Sequence, residues 1–163
     1  MVFLGNNYGD IFRMLTPFFK SNNNLTQISV EDCLLTAEGM RQLSIAIGSC
    51  NKLRRIDFST NQIEGGNIVD IITSLSMHPH IQKLELVGNH LRTNGCIALS
   101  TLLQNSTTHL QTLDLSRAEI NDEGIDILVP ALKKSDHLQS LSLENNSITS
   151  KGLQKLALLL ILK

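Results

Sequence analysis

The apolar residues of this 163-residue chain recur with a period of 28 or 29 residues, and this period restricts its fold more than any local feature. Each unit begins at an apolar anchor, counted here as position 0, and has further apolar residues at positions 3, 5 and 10, as in HLQSLSLENNSI. The five anchors are Leu25, Leu53, Ile81, Leu110 and Leu138. Because a unit of this length cannot bury its apolar face alone, the period predicts a stack of repeats with one shared core.

Within each unit the spacing of the apolar residues changes, which predicts a strand followed by a helix. Positions 3 to 6 alternate apolar and polar, and helical spacing follows, for example at Met40, Leu43 and Ile47. The candidate helix N-caps are Thr36, Asn121 and Thr149. Glycine recurs at position 14, where a bare Cα would let each helix lie close to its neighbour. These glycines are Gly39, Gly95, Gly124 and Gly152.

The pattern LxxLxLxx[NC]xL in units of 28–29 residues resembles the leucine-rich repeat, in its ribonuclease-inhibitor-like class. The resemblance implies an α/β solenoid, a horseshoe arc with a parallel β-sheet on its concave side and helices on its convex side. It covers the chain from Leu25 onward, with repeats that start near residues 25, 53, 81, 110 and 138. Residues 1–24 fit as a degenerate partial repeat, so residues 1–163 are predicted to form a single leucine-rich-repeat domain.

In that family the side chain at position 8 hydrogen-bonds the loop backbone of its neighbours and forms a ladder along the stack. The resemblance assigns this role to Cys33, Asn61, Asn89 and Asn146, with Asn6 as the upstream counterpart. Ala118 interrupts the ladder. The backbone groups around it therefore need another partner, for which water is one candidate.

Neither end of the chain has the polar outer face that terminal repeats normally need for solubility. The last helix ends KLALLLILK, and four of the five phenylalanines and the tyrosine lie within the first nineteen residues. These features predict a fragment of a longer array, or association through uncapped repeat ends. The alternative at the N-terminus is an aromatic plug that covers the first full repeat.

The resemblance places positions 2, 4 and 6 of each strand on the concave face, the usual binding surface of the family. The candidate partner-binding residues are Glu31, Arg55, Asp57, Lys83, Glu85, Asp114, Arg117 and Glu144. Acids outnumber bases here, although the whole chain has a formal charge of only -1. One interpretation is a mildly acidic groove for a basic segment of a partner protein. The other is that aspartate at position 4 is typical of the repeat and simply solvated.

The sequence lacks the nucleotide-binding, hydrolase and zinc-protease motifs, so it predicts a non-catalytic protein–protein interaction module or scaffold rather than an enzyme. Two alternatives remain open. Similar repeats form the GTPase-activating protein of Ran, and Arg92 and Arg117 are the candidates for an arginine supplied in trans. The other alternative is the sensor or regulatory repeat region of an innate-immunity-type receptor.

Three histidines, His80, His109 and His137, each precede an anchor and should lie side by side when the repeats stack. They suggest a metal site or a pH switch, but no carboxylate or cysteine joins them at ligand spacing. We therefore predict solvated loop residues, no metal and no cofactor. Cys96, near a helix start, is expected to have a lowered pKa.

The remaining signals concern compartment and partner class. The three cysteines include no C-x-x-C pair and the N-terminus has no signal-peptide pattern, which predicts a cytoplasmic protein, with the nucleus as the alternative. The longest apolar run, 156–162, is too short to cross a bilayer. Near-neutral charge argues against binding to nucleic acid.

Overall fold

The chain folds as a stack of strand–helix units in a computed structural model, which describes residues 1–4, 11–22 and 24–161. The strands are β1 (Val2–Leu4), β2 (Gln27–Glu31), β3 (Arg55–Asp57), β4 (Lys83–Glu85), β5 (Thr112–Asp114) and β6 (Ser140–Ser142). The helices are α1 (Ile11–Ser21), α2 (Ala37–Ile47), α3 (Val69–Leu75), α4 (Arg92–Gln104), α5 (Asp122–Lys134) and α6 (Ser150–Ile161). None of these described helices is long and apolar enough to span a membrane.

The strands form one parallel sheet in chain order, from β1 to β6. Its register joins equivalent positions of successive repeats, so that Arg55 lies opposite Lys83 and Asp57 lies opposite Glu85. This arrangement confirms the predicted α/β leucine-rich-repeat solenoid. Residues 1–24, which the sequence predicts to form a partial repeat, contain β1 and α1.

The core is a continuous apolar layer between the sheet and the helices. In the second full repeat, Ile56, Phe58 and Ile63 occupy positions 3, 5 and 10 and are buried, as are their equivalents in the next repeat. Burying one such side chain contributes about 1.5–3 kcal/mol. The stack is therefore stabilised mainly by repeat-to-repeat packing, as the period predicted.

The aromatic residues near the N-terminus are only partly described. Phe19 is buried in the core and makes an edge-on contact with Phe18, with ring centroids 6.0 Å apart. Tyr8 lies outside the described residues, and for Phe3 and Phe12 only the backbone is described. Burial of Phe19 supports a packing role for this segment against the first full repeat.

The helix starts follow the predicted caps. The amide of Gly39 donates to Thr36 Oγ1 at 3.1 Å, and the amide of Gly124 donates to Asn121 Oδ1 at 3.1 Å. Thr149 accepts from the amide of Lys151 at 3.2 Å. At this last helix start, Asp122 of the preceding repeat also accepts from the amide of Thr149, at 2.8 Å.

Glycine at position 14 is required by close contacts with position 10 of the same repeat. A Cβ at Gly95 would lie 2.5 Å from the Cβ of Leu91, and a Cβ at Gly124 would lie 2.8 Å from Ile120 Cγ2. At Gly124 the Cβ would also lie 2.9 Å from Cys96 Sγ of the preceding repeat, which agrees with the predicted close approach of neighbouring helices. Close packing inside the repeat therefore acts at both positions, and packing between repeats is added at Gly124.

Position 7, in the turn that follows each strand, has a left-handed backbone in all five full repeats. The residues and their φ angles are Asp32 (52°), Thr60 (57°), Gly88 (67°), Arg117 (53°) and Asn145 (54°). Asp32, Gly88 and Asn145 are residue types that favour this conformation, whereas Thr60 and Arg117 give no sign of it in the sequence. Thr60 is the most strained of the five because β-branched residues rarely adopt positive φ.

Replacing Thr60 by glycine should stabilise the protein by about 0.5–1 kcal/mol. Left-handed backbone costs an L-residue roughly 1–2 kcal/mol, and the extra freedom of glycine in the unfolded chain cancels part of that gain. Urea unfolding measures the difference. Thr26→Gly, at an exposed position without positive φ, is the control and should lose stability. Equal losses in both variants would contradict the strain at Thr60.

Candidate protein-binding face

The concave face is defined here as the side of the sheet to which positions 2, 4 and 6 of each repeat contribute. Position 3 is buried in each of the strands β3, β4 and β5, whereas position 2 is half-buried. The register places Asp57, Glu85 and Asp114 in one row across three neighbouring strands. Adjacent parallel strands lie about 4.8 Å apart, so charges in this row interact directly.

The bases on this face are paired with its acids. Arg55 Nε lies 2.6 Å from Glu85 Oε2, and Lys83 Nζ lies 2.9 Å from Glu85 Oε1. Arg55 also approaches Asp57, with Nη2 3.5 Å from Oδ2. The hydrogen bond to Glu85 raises the pKa of Arg55. The β3–β4 part of the face is therefore an ion-pair network rather than a row of bare carboxylates.

Two aspartates of the row also hold the turn that follows their strand. Asp57 Oδ1 accepts from the amide of Ser59 at 3.1 Å and from its hydroxyl at 2.7 Å. Asp114 Oδ1 makes the same pair of contacts with Ser116, at 3.0 and 2.7 Å. This repeated geometry gives aspartate at position 4 a structural role in the turn, and Asp57, which is buried, is not simply a solvated charge.

The other candidate residues lie at the margins of the network. Glu31 accepts a hydrogen bond from the hydroxyl of Ser29 in its own strand. Glu144 and Arg117 are exposed, and Arg117 follows its strand at the left-handed position 7. Within the described part of the chain, Asp114 and Glu144 have no cationic side chain in salt-bridge contact. The β5–β6 half of the face is thus the more negative half.

Each asparagine at position 8 joins its own repeat to the preceding one through its side chain. Asn89 Oδ1 accepts from the amides of Asn61 and Ile63, at 3.2 and 2.9 Å. Its Nδ2 donates to the carbonyls of Phe58 and Leu86, at 3.0 and 2.9 Å. Asn61 and Asn146 make equivalent bonds, and the amide of Cys33 donates to Asn61 Oδ1. Asn6 lies outside the described residues.

Main-chain atoms replace part of the ladder where Ala118 interrupts it. The amides of Leu91 and Arg92 both donate to the carbonyl of Ala118, at 3.2 Å each. The amide of Ala118 donates to Asn146 Oδ1 at 3.0 Å. These three amides therefore have acceptors within the protein.

Arg92, a candidate for an arginine supplied in trans, is engaged within the protein. Its Nη1 lies 3.0 Å from Glu64 Oε2 and its Nε lies 2.7 Å from Glu119 Oε2. His90 Nδ1 lies 2.6 Å from the other oxygen of Glu119. These contacts raise the pKa of Arg92 and lower that of Glu119. The network joins three repeats at spacings of 27 to 29 residues, and sequence reasoning missed it.

Of the three histidines predicted to lie side by side, the structure brings His109 and His137 into contact. The rings of His109 and His137 lie 4.5 Å apart between centroids, with planes tilted by 30°. Both residues are exposed. In the ranges that the structure describes, no group of three histidine, cysteine or acidic residues could hold a metal ion.

The expected lowered pKa of Cys96 is wrong. The side chain is fully buried beneath the helices, and burial raises the pKa of its thiol to about 12. A neighbouring helix start cannot offset the loss of hydration, because a thiolate in an apolar layer is strongly disfavoured. Cys33 and Cys50 are buried as well, and none of the three cysteines forms a disulfide.

All three thiols should therefore resist alkylation in the folded protein. At pH 8 we expect iodoacetamide to react at least about tenfold more slowly with native protein than with urea-unfolded protein. Mass spectrometry of the alkylated cysteines measures the rates. Because the folded pKa of Cys96 lies above its ordinary value of 9.0, its contribution to stability is present below pH 9 and is lost as the pH rises towards 12. Rapid native labelling of Cys96 would contradict its burial.

The sequence of this chain is similar to a repeat family and to several longer proteins. The family model described as Leucine Rich repeat matches residues 78–100, 106–128 and 134–157. Human NACHT, LRR and PYD domains-containing protein 13 is 34% identical over 139 residues, which cover 82% of this chain and 13% of that protein. Mouse NACHT, LRR and PYD domains-containing protein 4C is 28% identical over 92% of this chain and 15% of its own length. The chain thus spans about one seventh of these relatives.

Two solved structures share the fold at low sequence identity. The tropomodulin C-terminal domain of Caenorhabditis elegans has a TM-score of 0.69 and 12% identity, over 92% of this chain and 91% of that chain. Leiomodin-1 actin-binding site 2 has a TM-score of 0.73 and 17% identity, over 93% and 88% of the two chains. At these identities the similarity establishes the architecture alone.

Proposed function

Because this chain is a leucine-rich repeat protein, we propose that it is a non-catalytic interaction module that binds a partner protein on its concave face. The parallel register supports this proposal, since it joins polar side chains of successive repeats into one surface. Buried cysteines without disulfides agree with a reducing compartment, for which we propose the cytoplasm. A scaffold role follows from the same surface.

The charge distribution favours one half of this face for a basic partner segment. Around Glu85, two cationic groups already satisfy the carboxylate, and the side chain is only 14% exposed. Asp114 and Glu144 have no such cationic contact within the described residues. A lysine or arginine of the partner would therefore gain most at the β5–β6 half, where it does not have to displace an existing ion pair.

Removing the two charges of this half should weaken binding of the natural partner. We expect the double variant Asp114→Asn and Glu144→Gln to bind about tenfold more weakly, or ~1.4 kcal/mol, because it removes attraction and leaves the partner's cation unpaired. Asparagine retains an oxygen that can accept from Ser116, so the fold should persist. Partners are identified by affinity purification with the unaltered chain, and their affinities are then measured by calorimetry.

The matched control removes two charges away from the face. Asp70→Asn and Asp136→Asn change exposed residues of α3 and of the turn before β6. This control should leave the affinity unchanged. Equal affinities for the face variant, the control and the unaltered chain would contradict binding at the β5–β6 half.

We also propose a second candidate function, the regulatory repeat region of an innate-immunity-type receptor. The observation that favours it is the 28–34% identity to NACHT, LRR and PYD domains-containing proteins, of which the matched segment is a small part. Sequencing the full-length transcript tests it. A coding sequence that joins these repeats to a nucleotide-binding domain would support it, and one without such a domain would contradict it.

A further inference from the structure

The loops that lead from each helix into the next strand carry an excess of positive charge. Together with the last helical turn before them they comprise residues 18–26, 44–54, 72–82, 101–111 and 131–139, called here the helix-to-strand edge. The charged residues in these ranges are Lys20, Lys52, Arg54, Lys133, Lys134 and Asp136, and four of the five histidines lie there as well. The loops and helix starts at the opposite edge are mainly acidic. They contain Asp32, Glu38, Glu64, Asp70, Glu119, Asp122, Glu123 and Glu144 against Arg92, Arg117 and Lys151.

The helix dipole accounts for part of this separation of charge. Cations are favoured near helix C-termini, so Lys20, Lys133 and Lys134, in the last turns of α1 and α5, have a local reason for their position. Lys52 and Arg54 lie beyond the end of α2, in the loop before β3, and the effect of the dipole falls off within the last turn. Helix stability therefore does not explain the charge of this loop.

The positive charges of the helix-to-strand edge are not neutralised by neighbouring acids. Lys52 Nζ donates to Asn24 Oδ1 at 2.9 Å, and Lys134 Nζ donates to Gln104 Oε1 at 3.4 Å, so both contacts are with neutral amides. Across residues 11–22 and 24–161, none of the five cations of this edge has a carboxylate in salt-bridge contact. Arg92, at the acidic edge, has two such contacts. The helix-to-strand edge therefore presents charge with which an external anion can pair.

Main-chain hydrogen bonds hold the loops of this edge in register. They join the amide at position 1 of one repeat to the carbonyl at position 1 of the preceding repeat. The pairs are Gln82 to Arg54, Gln111 to Gln82 and Gln139 to Gln111, at 2.8, 2.8 and 2.9 Å. The residues directly before the anchors form a row of exposed side chains, Lys52, His80, His109 and His137. At about 4.8 Å per repeat this row is ~14 Å long, which four or five residues of an extended chain can follow.

A groove of about 330 Å³ opens in this row between the loops that follow α2 and α3. Lys52 and His80 line it, as does His78, and its described lining includes no acid. His78 is only 4% exposed, and its Nε2 has no hydrogen-bond partner within the described part of the chain. Burial lowers the pKa of this imidazole. A carboxylate that enters the groove would therefore meet basic side chains and no like charge.

We propose that the helix-to-strand edge binds an extended acidic segment of a partner protein, with one carboxylate in the groove between Lys52 and His80 and others along the histidine row. This surface is separate from the concave face, which is proposed above for a basic segment. A peptide fits better than a membrane surface, because one side chain can enter the groove while the main chain follows the row. Nucleic acid is less favoured, since the whole chain has a formal charge of -1.

Titration of a labelled hexaglutamate peptide with the full chain, followed by fluorescence anisotropy, tests the proposal. We expect saturable binding that weakens roughly tenfold between about 50 and 300 mM salt, because salt screens exposed charges. A hexaglutamine peptide of the same length should not bind. Failure of hexaglutamate to bind at low salt would overturn the proposal.

Two matched pairs of substitutions locate the binding. Lys52→Gln with Arg54→Gln removes two cations beside the groove and should weaken hexaglutamate binding about tenfold. Lys151→Gln with Lys155→Gln removes two exposed cations of α6, at the other end of the stack, and should change the affinity by less than about twofold. Equal weakening by both pairs would reveal a general effect of net charge and contradict a site on this edge.

The ring-proton NMR signals of the histidines map the contact without any substitution. On addition of hexaglutamate we expect shifts at His80, His109 and His137. His90 lies on the acidic edge, where it contacts Glu119, and its signal should not move. Signals of the row that stay in place while the peptide binds would overturn the proposal.

Acidification should strengthen the binding. Histidine gains charge between about pH 8 and 5, where glutamate remains ionised, so we expect roughly threefold tighter binding at pH 6 than at pH 7.5. The charged groups that face the row are Lys52 beside His80, and Lys134 and Asp136 beside His137. Circular dichroism checks the fold at both pH values, because the lowered pKa of His78 means that its protonation opposes folding as the pH falls. Equal affinities at the two pH values would contradict a role of the histidine row.

Other occupants of this edge are tested with their own probes. Vesicles of phosphatidylcholine with phosphatidylserine represent a membrane, and a short DNA duplex represents nucleic acid. Tighter binding of either probe than of hexaglutamate would overturn the proposal. A dimer that dissociates at high salt, with a His80 signal that depends on protein concentration, would assign the edge to the acidic edge of a second copy and overturn it as well. None of these experiments alters the concave face, so their results are independent of the proposed function.

Discussion

Replacing Gly65 by alanine should destabilise the solenoid by about 3 kcal/mol or more. A Cβ at this position would lie 2.0 Å from the carbonyl oxygen of Leu91 and 2.4 Å from the amide nitrogen of Gly95. Both contacts are with the backbone of the next repeat, which cannot move aside as a flexible side chain can. Overpacking in a core typically costs 1–3 kcal/mol, and a clash with backbone belongs at or above the upper end of that range.

The close approach at Gly65 also supports hydrogen bonds between the two repeats. The amide of Gly65 donates to the carbonyl of His90 at 3.1 Å, and the amide of His90 donates to the carbonyl of Ile63 at 2.9 Å. Moving the backbones apart to admit a methyl group would lengthen both bonds. The packing and hydrogen-bond costs therefore add to each other.

Gly66→Ala provides a control one residue away. A Cβ there would have no heavy atom within 4 Å, and Gly66 does not have a positive φ. Alanine should then leave stability unchanged or raise it by about 0.4–1 kcal/mol, because it restricts the unfolded chain. Urea unfolding followed by circular dichroism measures both variants. Equal stability of the two would show that the repeats can separate at Gly65 without cost.

Replacing Asn89 by alanine should cost about 3 kcal/mol. Asn89 is fully buried, and its side chain bonds to the amides of Asn61 and Ile63 and to the carbonyls of Phe58 and Leu86. A buried polar group left without a partner costs about 1–3 kcal/mol. Phe58 would keep a bond from Asn61 Nδ2, so the groups that lose their partner are the two amides and the carbonyl of Leu86.

Ala118 shows how the protein adapts where the ladder residue is missing. There the carbonyl of the alanine itself accepts from two amides of the preceding repeat. If the loop at Asn89 could rearrange in the same way, Asn89→Ala would lower the free energy of unfolding by only about 1 kcal/mol. That is the net contribution of one hydrogen bond. Asn94→Ala, at an exposed position of α4, is the control and should not destabilise. A loss at Asn89 no larger than that at Asn94 would contradict the ladder's contribution.

Several parts of the fold were accessible from the sequence because each repeat contains the information needed for them. The buried residues at positions 3, 5 and 10, such as Ile56, Phe58 and Ile63, follow from periodicity within one unit. The caps Thr36 and Asn121 follow from the preference of polar side chains for helix starts. The 28-residue spacing then places equivalent strand positions side by side, as the register of Asp57 and Glu85 confirms.

Other features depend on how two repeats meet, and single-unit patterns do not contain them. Cys96 was expected to be activated by a helix start, but the next helix covers it and removes water. Arg92 was a candidate for action in trans, but carboxylates from two other repeats hold it. The left-handed backbone at Thr60 is set by the turn after the strand, although the residue itself disfavours it.

The sequence by itself determined the repeat length, the strand–helix order and the identity of the inward-facing residues, because the same burial requirement recurs in every unit. Only the tertiary structure decided which charges of the concave face are neutralised and which glycines lie where two backbones approach closely. These outcomes depend on distances of a few ångströms between residues about 28 positions apart. These distances are set only when the repeats stack. They matter because hydrogen bonds, ion pairs and steric contacts change steeply over a few ångströms.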